Sequence, residues 1–184
     1  VVSNASGGIY SVDLEAGTSR LILAENDNRP KPRFSTLATD HNRLDRKPFA
    51  CSKDGQKIVF CDRDHNIVIW DVEAKKPIQK ILLKDSMETH EAESEFVFLK
   101  GGSELFHGTN RGNAVMWDLD RNSQSYRERI HGRYIYELVV TNDEQFVISA
   151  GHDRTIQVFD VQRKNRKILK GHQGPVTCLA AAPD

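Results

Sequence analysis

One feature constrains this chain more than any other: a segment type that recurs. Four times, a short apolar run ends in an apolar or aromatic residue followed by aspartate, in GGIYSVD, HNIVIWD, GNAVMWD and RTIQVFD. The pairs are Val12-Asp13, Trp70-Asp71, Trp117-Asp118 and Phe159-Asp160, with Trp117 47 residues after Trp70 and Phe159 42 residues after Trp117. A unit of four short strands needs about 40–45 residues, so these intervals fit one such unit each. The first interval, 58 residues, is longer and holds an insertion. A fixed period means that each copy is one supersecondary unit, which buries its apolar faces by stacking on neighbours.

Within each unit the side-chain period is two. In DHNIVIWDV, Ile67, Ile69 and Asp71 share one face while Val68, Trp70 and Val72 share the other. Both faces are apolar for part of the strand, as expected of a strand covered on both sides. QKIVFC and QFVISA read as the preceding strands of their units. Lys53-Asp54-Gly55, Asp62-Arg63-Asp64, Gly101-Gly102, Asn110-Arg111-Gly112 and Asn142-Asp143-Glu144 read as the reversals between strands. Asn, Asp and Gly suit such reversals because they tolerate positive φ or bond their own backbone. Nothing reads as a long amphipathic helix, and the expected class is all-β.

The residues resemble the WD-repeat family. The spacing D-x(5)-[WF]-D appears as Asp64 with Trp70-Asp71 and as Asp153 with Phe159-Asp160, and Gly171-His172 precedes GPVTCLAAAPD. The resemblance implies a β-propeller of four-stranded antiparallel blades, about four of them covered here and part of a ring of about seven. The implied division is a partial blade at 1–23, a long loop at 24–48, blades at about 49–84, 94–130 and 134–170, and the innermost strand of a further blade at 174–184. The chain does not begin with methionine and reads as an excerpt of a larger propeller.

The resemblance also implies a hydrogen-bonded relay inside each blade. It joins a histidine before the innermost strand, a hydroxyl in the second strand, an aspartate in the next turn and the tryptophan of the third strand. A buried Trp N–H, hydroxyl, imidazole and carboxylate satisfy one another in such a set. Carried over position by position, the second unit offers His41, Asp64 and Trp70 but no hydroxyl. The third offers His90, Thr109 and Trp117, with Arg111 where the aspartate belongs. The fourth offers His131, Ser149 and Asp153, with Phe159 in place of tryptophan, and His172 would open a further unit. These groups recur at equivalent places, as structural parts do and a single active site does not.

Catalytic and metal motifs are missing from the sequence: there is no G-x-S-x-G elbow, no phosphate loop GxxxxGK[ST] and no HExxH pair. Cys51, Cys61 and Cys178 form no CxxC pair and read as small buried thiols in a reducing compartment. No catalytic residue, cofactor or metal site, and no small-molecule substrate, is expected. Basic and acidic residues balance at 26 each, which argues against gripping nucleic acid with the whole surface. No apolar stretch approaches the ~18 residues of a membrane span, and VVSNASGGIY has neither the basic head nor the apolar middle of a signal peptide.

Function then rests on surfaces. Arg29, Lys31 and Arg33 form one basic stretch, which continues through Arg43, Arg46 and Lys47. Arg163, Lys164, Arg166, Lys167 and Lys170 form another, and Asp85, Glu88, Glu91, Glu93 and Glu95 an acidic one. Tyr126, Tyr134 and Tyr136 lie near arginines, a mixture able to hold RNA or peptide, although Tyr134 and Tyr136 also fit one face of an innermost strand. The leading expectation is a non-catalytic scaffold for protein partners in an intracellular complex, cytoplasmic or nuclear. The alternatives are an RNA-binding propeller of a ribonucleoprotein assembly, of the snRNP or ribosome-biogenesis type, and a sensor segment of a larger signalling ATPase.

Overall fold

The computed structural model describes residues 2–3, 9–13, 18–23, 49–62, 66–83 and 93–182, the strands before residue 24 and Glu93–Ser94 by their backbone alone. The all-β expectation holds: the described residues form antiparallel sheets and one short 3-10 turn at Lys100–Gly102. Contacts divide the chain into two units, Val1–Lys84 and Asp85–Asp184.

The first unit holds β1 (Val2–Ser3), β2 (Ile9–Asp13) and β3 (Thr18–Leu23) in one sheet. A second sheet consists of β4 (Phe49–Cys51), β5 (Lys57–Cys61), β6 (Ile67–Asp71) and β7 (Lys76–Ile81). The second unit holds β8 (Glu93–Leu99), β9 (Glu104–Thr109), β10 (Asn113–Asp118) and β11 (Ser123–Arg129), then β12 (Ile135–Val140), β13 (Phe146–Gly151), β14 (Ile156–Asp160) and β15 (Asn165–Leu169). Every sheet is a meander in which each strand pairs with its neighbour in sequence.

Sequence explains the gradient of burial across each sheet. The middle strands KIVFC and IVIWD are apolar on both faces and buried nearly throughout. The outer strands KPIQKI, SQSYRER and NRKIL are mostly exposed. Phe60, Val68 and Trp70 form the core of the β4–β7 sheet. In the second unit, Phe106, Met116, Ile135, Leu138 and Phe159 join the two sheets in one core. Each fully buried side chain of this size contributes roughly 1.5–3 kcal/mol. Gly108 permits the close approach of β12 to β9, since a Cβ there would lie 2.9 Å from the Ile135 side chain.

The recurring aspartates turn out to be turn caps. Asp71 accepts the Ala74 N–H at 2.7 Å, Asp118 that of Arg121 at 2.9 Å and Asp160 that of Arg163 at 2.8 Å. Each cap precedes a residue held at positive φ, namely Lys75 (52°), Asn122 (49°) and Lys164 (52°). At the same end, the reversals between first and second strands repeat a hydroxyl–aspartate pair. Ser52 Oγ donates to Asp54 at 2.5 Å, and Thr141 Oγ1 donates to Asp143 at 2.6 Å. Short polar side chains that bond their own backbone make these reversals local properties of the sequence.

Two observations depart from expectation. Residues 170–182 carry no strand, although 174–184 reads as one. Val176 is buried, and its N–H donates to the Gly151 carbonyl at 3.2 Å. A strand needs a ladder, and that single bond is not one. Cys178 is exposed, whereas Cys61 is buried and Cys51 half-buried. Register also differs between the sheets. The outer strands β7 and β11 slip against their partners just before Trp70 and Trp117, while β15 pairs with β14 without a break.

Candidate functional site

Expected relay residues meet in the last sheet. His131, in the connection before β12, points Nε2 at Ser149 Oγ (2.8 Å) and Nδ1 at Asp153 Oδ1 (2.9 Å). Asp153 also accepts the Gly132 N–H at 2.9 Å and the Thr155 hydroxyl at 2.7 Å. A carboxylate only accepts, so Nδ1 carries the proton of neutral His131 and Nε2 accepts from Ser149. Ser, His and Asp in this order are the parts of a hydrolytic triad. Here, however, the His131 side chain is 0% exposed and Ser149 2%, so no substrate carbonyl reaches the hydroxyl. The set braces the turn after β13 against the connection into β12.

Burial holds His131 below its ordinary 6.5, against the upward pull of Asp153. Burial also raises Asp153, but the Gly132 N–H, His131 and Thr155 outweigh it and bring the carboxyl to about 2. Both groups bind a proton more readily in the unfolded chain. Their contribution is therefore full above the unfolded values and is lost as pH falls, His131 first, below 6.5, and Asp153 between 3.8 and about 2. The melting temperature of the second unit is expected to fall between pH 7.5 and 5.5, and less so in His131→Gln. An identical fall in that variant would remove His131 as the cause.

In the neighbouring sheet the expectation needs correction. Thr109 does not serve Trp117: its hydroxyl accepts the Asn113 N–H at 3.0 Å and so caps a turn, as Asp62 does for Asn66 at 2.9 Å. The Trp117 indole N–H donates instead to His107 Nε2 at 3.2 Å. Register gives the reason. Ser149 lies opposite Gln157, two residues before Phe159, and His107 lies opposite Val115, two before Trp117. Phe60, opposite Val68, holds that place in the β4–β7 sheet and packs on Trp70 at 6.5 Å between centroids. Phe159, which has no N–H, packs between Phe106 (5.3 Å) and Tyr126 (4.9 Å). His172 is exposed and makes no side-chain hydrogen bond among the described residues. His41, Asp64 and His90 lie outside those residues, as do Arg29, Lys31 and Arg33.

A second cluster lies beside the brace and opens to solvent. Tyr134 and Tyr136 stack at 6.1 Å and 23°, the His152 ring stands on edge to Tyr134 at 6.1 Å, and the Arg133 guanidinium lies 5.1 Å from the Tyr134 centroid. The Tyr136 hydroxyl meets His152 Nδ1 at 2.7 Å, and the backbone N–H of His152 donates to the Tyr134 carbonyl at 2.9 Å. The β12–β13 register slips between Ile135 and Glu137, making Tyr136 the extra residue of a bulge; bulges re-aim side chains. Arg154, in the adjoining turn, is exposed and held at φ 68°, where the neighbouring sheet has Gly112 at 82°. A bulky residue in that region is strained, and such strain collects at functional sites. Arg133 and Arg154 are exposed, while Tyr134, Tyr136 and His152 are half-buried. Tyr126, by contrast, is a packing residue. Its hydroxyl donates to Glu128 at 2.6 Å, and burial pushes it up to about 12.

The basic stretch along β15 is partly committed. Arg163 pairs with Asp160 at 2.9 Å, Arg166 with Glu128, and Lys164 Nζ donates to the Ser125 carbonyl at 3.1 Å. Lys167 and Lys170 are exposed and make no ion pair among the described residues. Those residues also hold no group of three or more His, Cys, Asp or Glu arranged for a metal, and no helix long and apolar enough to cross a membrane.

Successive four-stranded antiparallel sheets, each with an aromatic residue followed by a capping aspartate at the end of its third strand, define blades of a β-propeller. The model of the WD domain, G-beta repeat, matches residues 124–160. The mouse WD repeat-containing protein 55 is 28% identical over 130 residues, which is 70% of this chain and 32% of that protein. The U3 snoRNP-associated protein-like EMB2271 of Arabidopsis thaliana is 25% identical over 141 residues, 76% of this chain and 28% of that protein. Among solved structures, that of U3-55K superposes with a TM-score of 0.66 at 20% identity, over 96% of this chain and 49% of that one, a likeness of fold. The chain is similar to WD-repeat proteins, and it spans about a third or less of the curated relatives it matches.

Proposed function

We propose that this chain is the blade-bearing part of a non-catalytic scaffold that mediates protein–protein interactions in an intracellular multi-subunit complex. The observation that carries this reading is the cluster of Arg133, Tyr134, Tyr136, His152 and Arg154. Tyrosine and arginine dominate interface hot spots, because they offer large, rigid contact area with a polar tip. Here two stacked, half-buried tyrosines contact His152, the Arg133 guanidinium lies over the Tyr134 ring, and exposed Arg154 occupies the adjoining turn. The groups that resemble catalytic ones are spent on bracing this surface, so rigidity, not chemistry, is what they supply.

Affinity purification of the full-length protein, with and without nuclease, tests the proposal. Protein partners are expected to survive nuclease and to be depleted roughly tenfold by Tyr134→Ala, the loss of a hot spot of about 1.4 kcal/mol. Arg154→Gly is expected to stabilise the second unit by about 0.5–1 kcal/mol through relief of the positive φ, while weakening partner recovery. Recovery of RNA alone, with no nuclease-resistant protein, overturns the reading.

A second reading concerns the setting: a ribonucleoprotein assembly. It is supported by the similarity to relatives named U3 snoRNP-associated. Within the basic stretch Arg163, Lys164, Arg166, Lys167 and Lys170, the exposed Lys167 and Lys170 are the cations not committed to an ion pair or a backbone carbonyl among the described residues. Direct RNA contact there predicts affinity falling steeply with salt, and a shallower salt slope on charge reversal. Unchanged RNA binding after reversal removes that role.

A further inference from the structure

The outer strand of each four-stranded sheet leaves one row of backbone N–H and C=O groups without a ladder partner among the described residues, and the three outer strands treat that row differently. β7 carries Pro77, which has no N–H, and β7 slips in register against β6. β11 slips against β10 between Met116 and Trp117. Proline and bulges both blunt an edge. β15 has neither. It runs in unbroken register from Asn165 opposite Asp160 to Leu169 opposite Ile156, in the sheet where Phe159 stands in place of tryptophan. Ile168 and Leu169 are 44% and 40% exposed, and as successive strand residues they face opposite sides. Lys167 and Lys170 flank them.

We propose that β15 is a strand-addition site for an extended acidic segment of a partner protein. The segment's backbone completes the open ladder, its apolar side chains cover Ile168 and Leu169, and its carboxylates meet Lys167 and Lys170. The same lysines repel the β15 edge of a second copy, so the charge that admits an acidic strand also blocks self-pairing. A polynucleotide could answer the cations but has no row of amides to pair with a straight edge, nor a use for two exposed aliphatic side chains. The proposal rests on the scaffold reading only in that the partner is a protein, since this edge is distinct from the Tyr134 face.

Amide hydrogen exchange of the full-length protein, with a synthetic peptide alternating glutamate and valine, tests it. Exchange across Asn165–Lys170 is expected to slow by roughly tenfold at saturation, to stay unprotected with the same peptide N-methylated at alternate residues, and to be unaffected by Tyr134→Ala. The pair Lys167→Glu and Lys170→Glu, which alters only exposed side chains, is expected to weaken the peptide by roughly tenfold or more. No protection at millimolar peptide, or equal protection by the N-methylated peptide or by a single-stranded oligouridine, overturns the proposal. Loss of partners on Tyr134→Ala in that event leaves the scaffold reading standing.

Discussion

Phe159→Ala is expected to lower the unfolding free energy of the 85–184 unit by about 3–5 kcal/mol, the range for emptying a buried phenylalanine site. Phe159 is 2% exposed and belongs to the core that the two sheets of this unit share. Its ring meets Phe106 from β9 and Tyr126 from β11, so the lost contacts are those that join one sheet to the next. These partners sit on strands of a meander whose backbone ladders hold them in place, so the cavity has little means of collapse. Urea unfolding with matched m-values measures the loss. A change below about 1 kcal/mol would show that the neighbours close the gap, a cost nearer to a volume-conserving swap.

Gly151→Ala is expected to be nearly as damaging, for a steric reason. A Cβ on Gly151 would lie 2.1 Å from His131 Nδ1 and 2.6 Å from its Cγ, so the imidazole must leave its place. Buried Ser149 and the displaced imidazole then lose their partners, at about 1–3 kcal/mol for each buried polar group left unsatisfied, while Asp153 keeps Gly132 and Thr155. A total of roughly 3 kcal/mol follows. The double-mutant cycle with His131→Ala separates this cause from a backbone effect. If the ring is what collides, the double variant is no less stable than His131→Ala alone. Additive losses would place the damage in the strand itself.

Much of the fold was legible because its signals are short-range. The apolar alternation of IVIWD and NAVMWD and the Asp caps act within a few residues, and the period of 42 to 47 residues repeated them. The brace was partly legible. His131, Ser149 and Asp153 meet as the family pattern implies, but Thr109 was the wrong hydroxyl position. A usable signal existed: His107 stands ten residues before Trp117, just as Ser149 stands ten before Phe159 and Phe60 ten before Trp70. Residue type pointed to threonine, whereas spacing pointed to histidine. At the solvent-facing cluster, Arg133, Tyr134 and Tyr136 stood out in the sequence. His152 did not, because it arrives from the far end of β13 and its neighbourhood depends on a bulge.

By itself, then, the sequence determined an all-β chain of repeated four-stranded units and the turns that close them. Those features are set by side-chain alternation and by polar groups bonding backbone within four residues. Only the tertiary structure decided that His131 occupies the space a Gly151 side chain would take, that Phe159, standing in place of an indole, packs between Phe106 and Tyr126, and that β15 pairs in unbroken register. Each of these depends on register between strands, and in a ladder a shift of one residue turns every side chain to the other face.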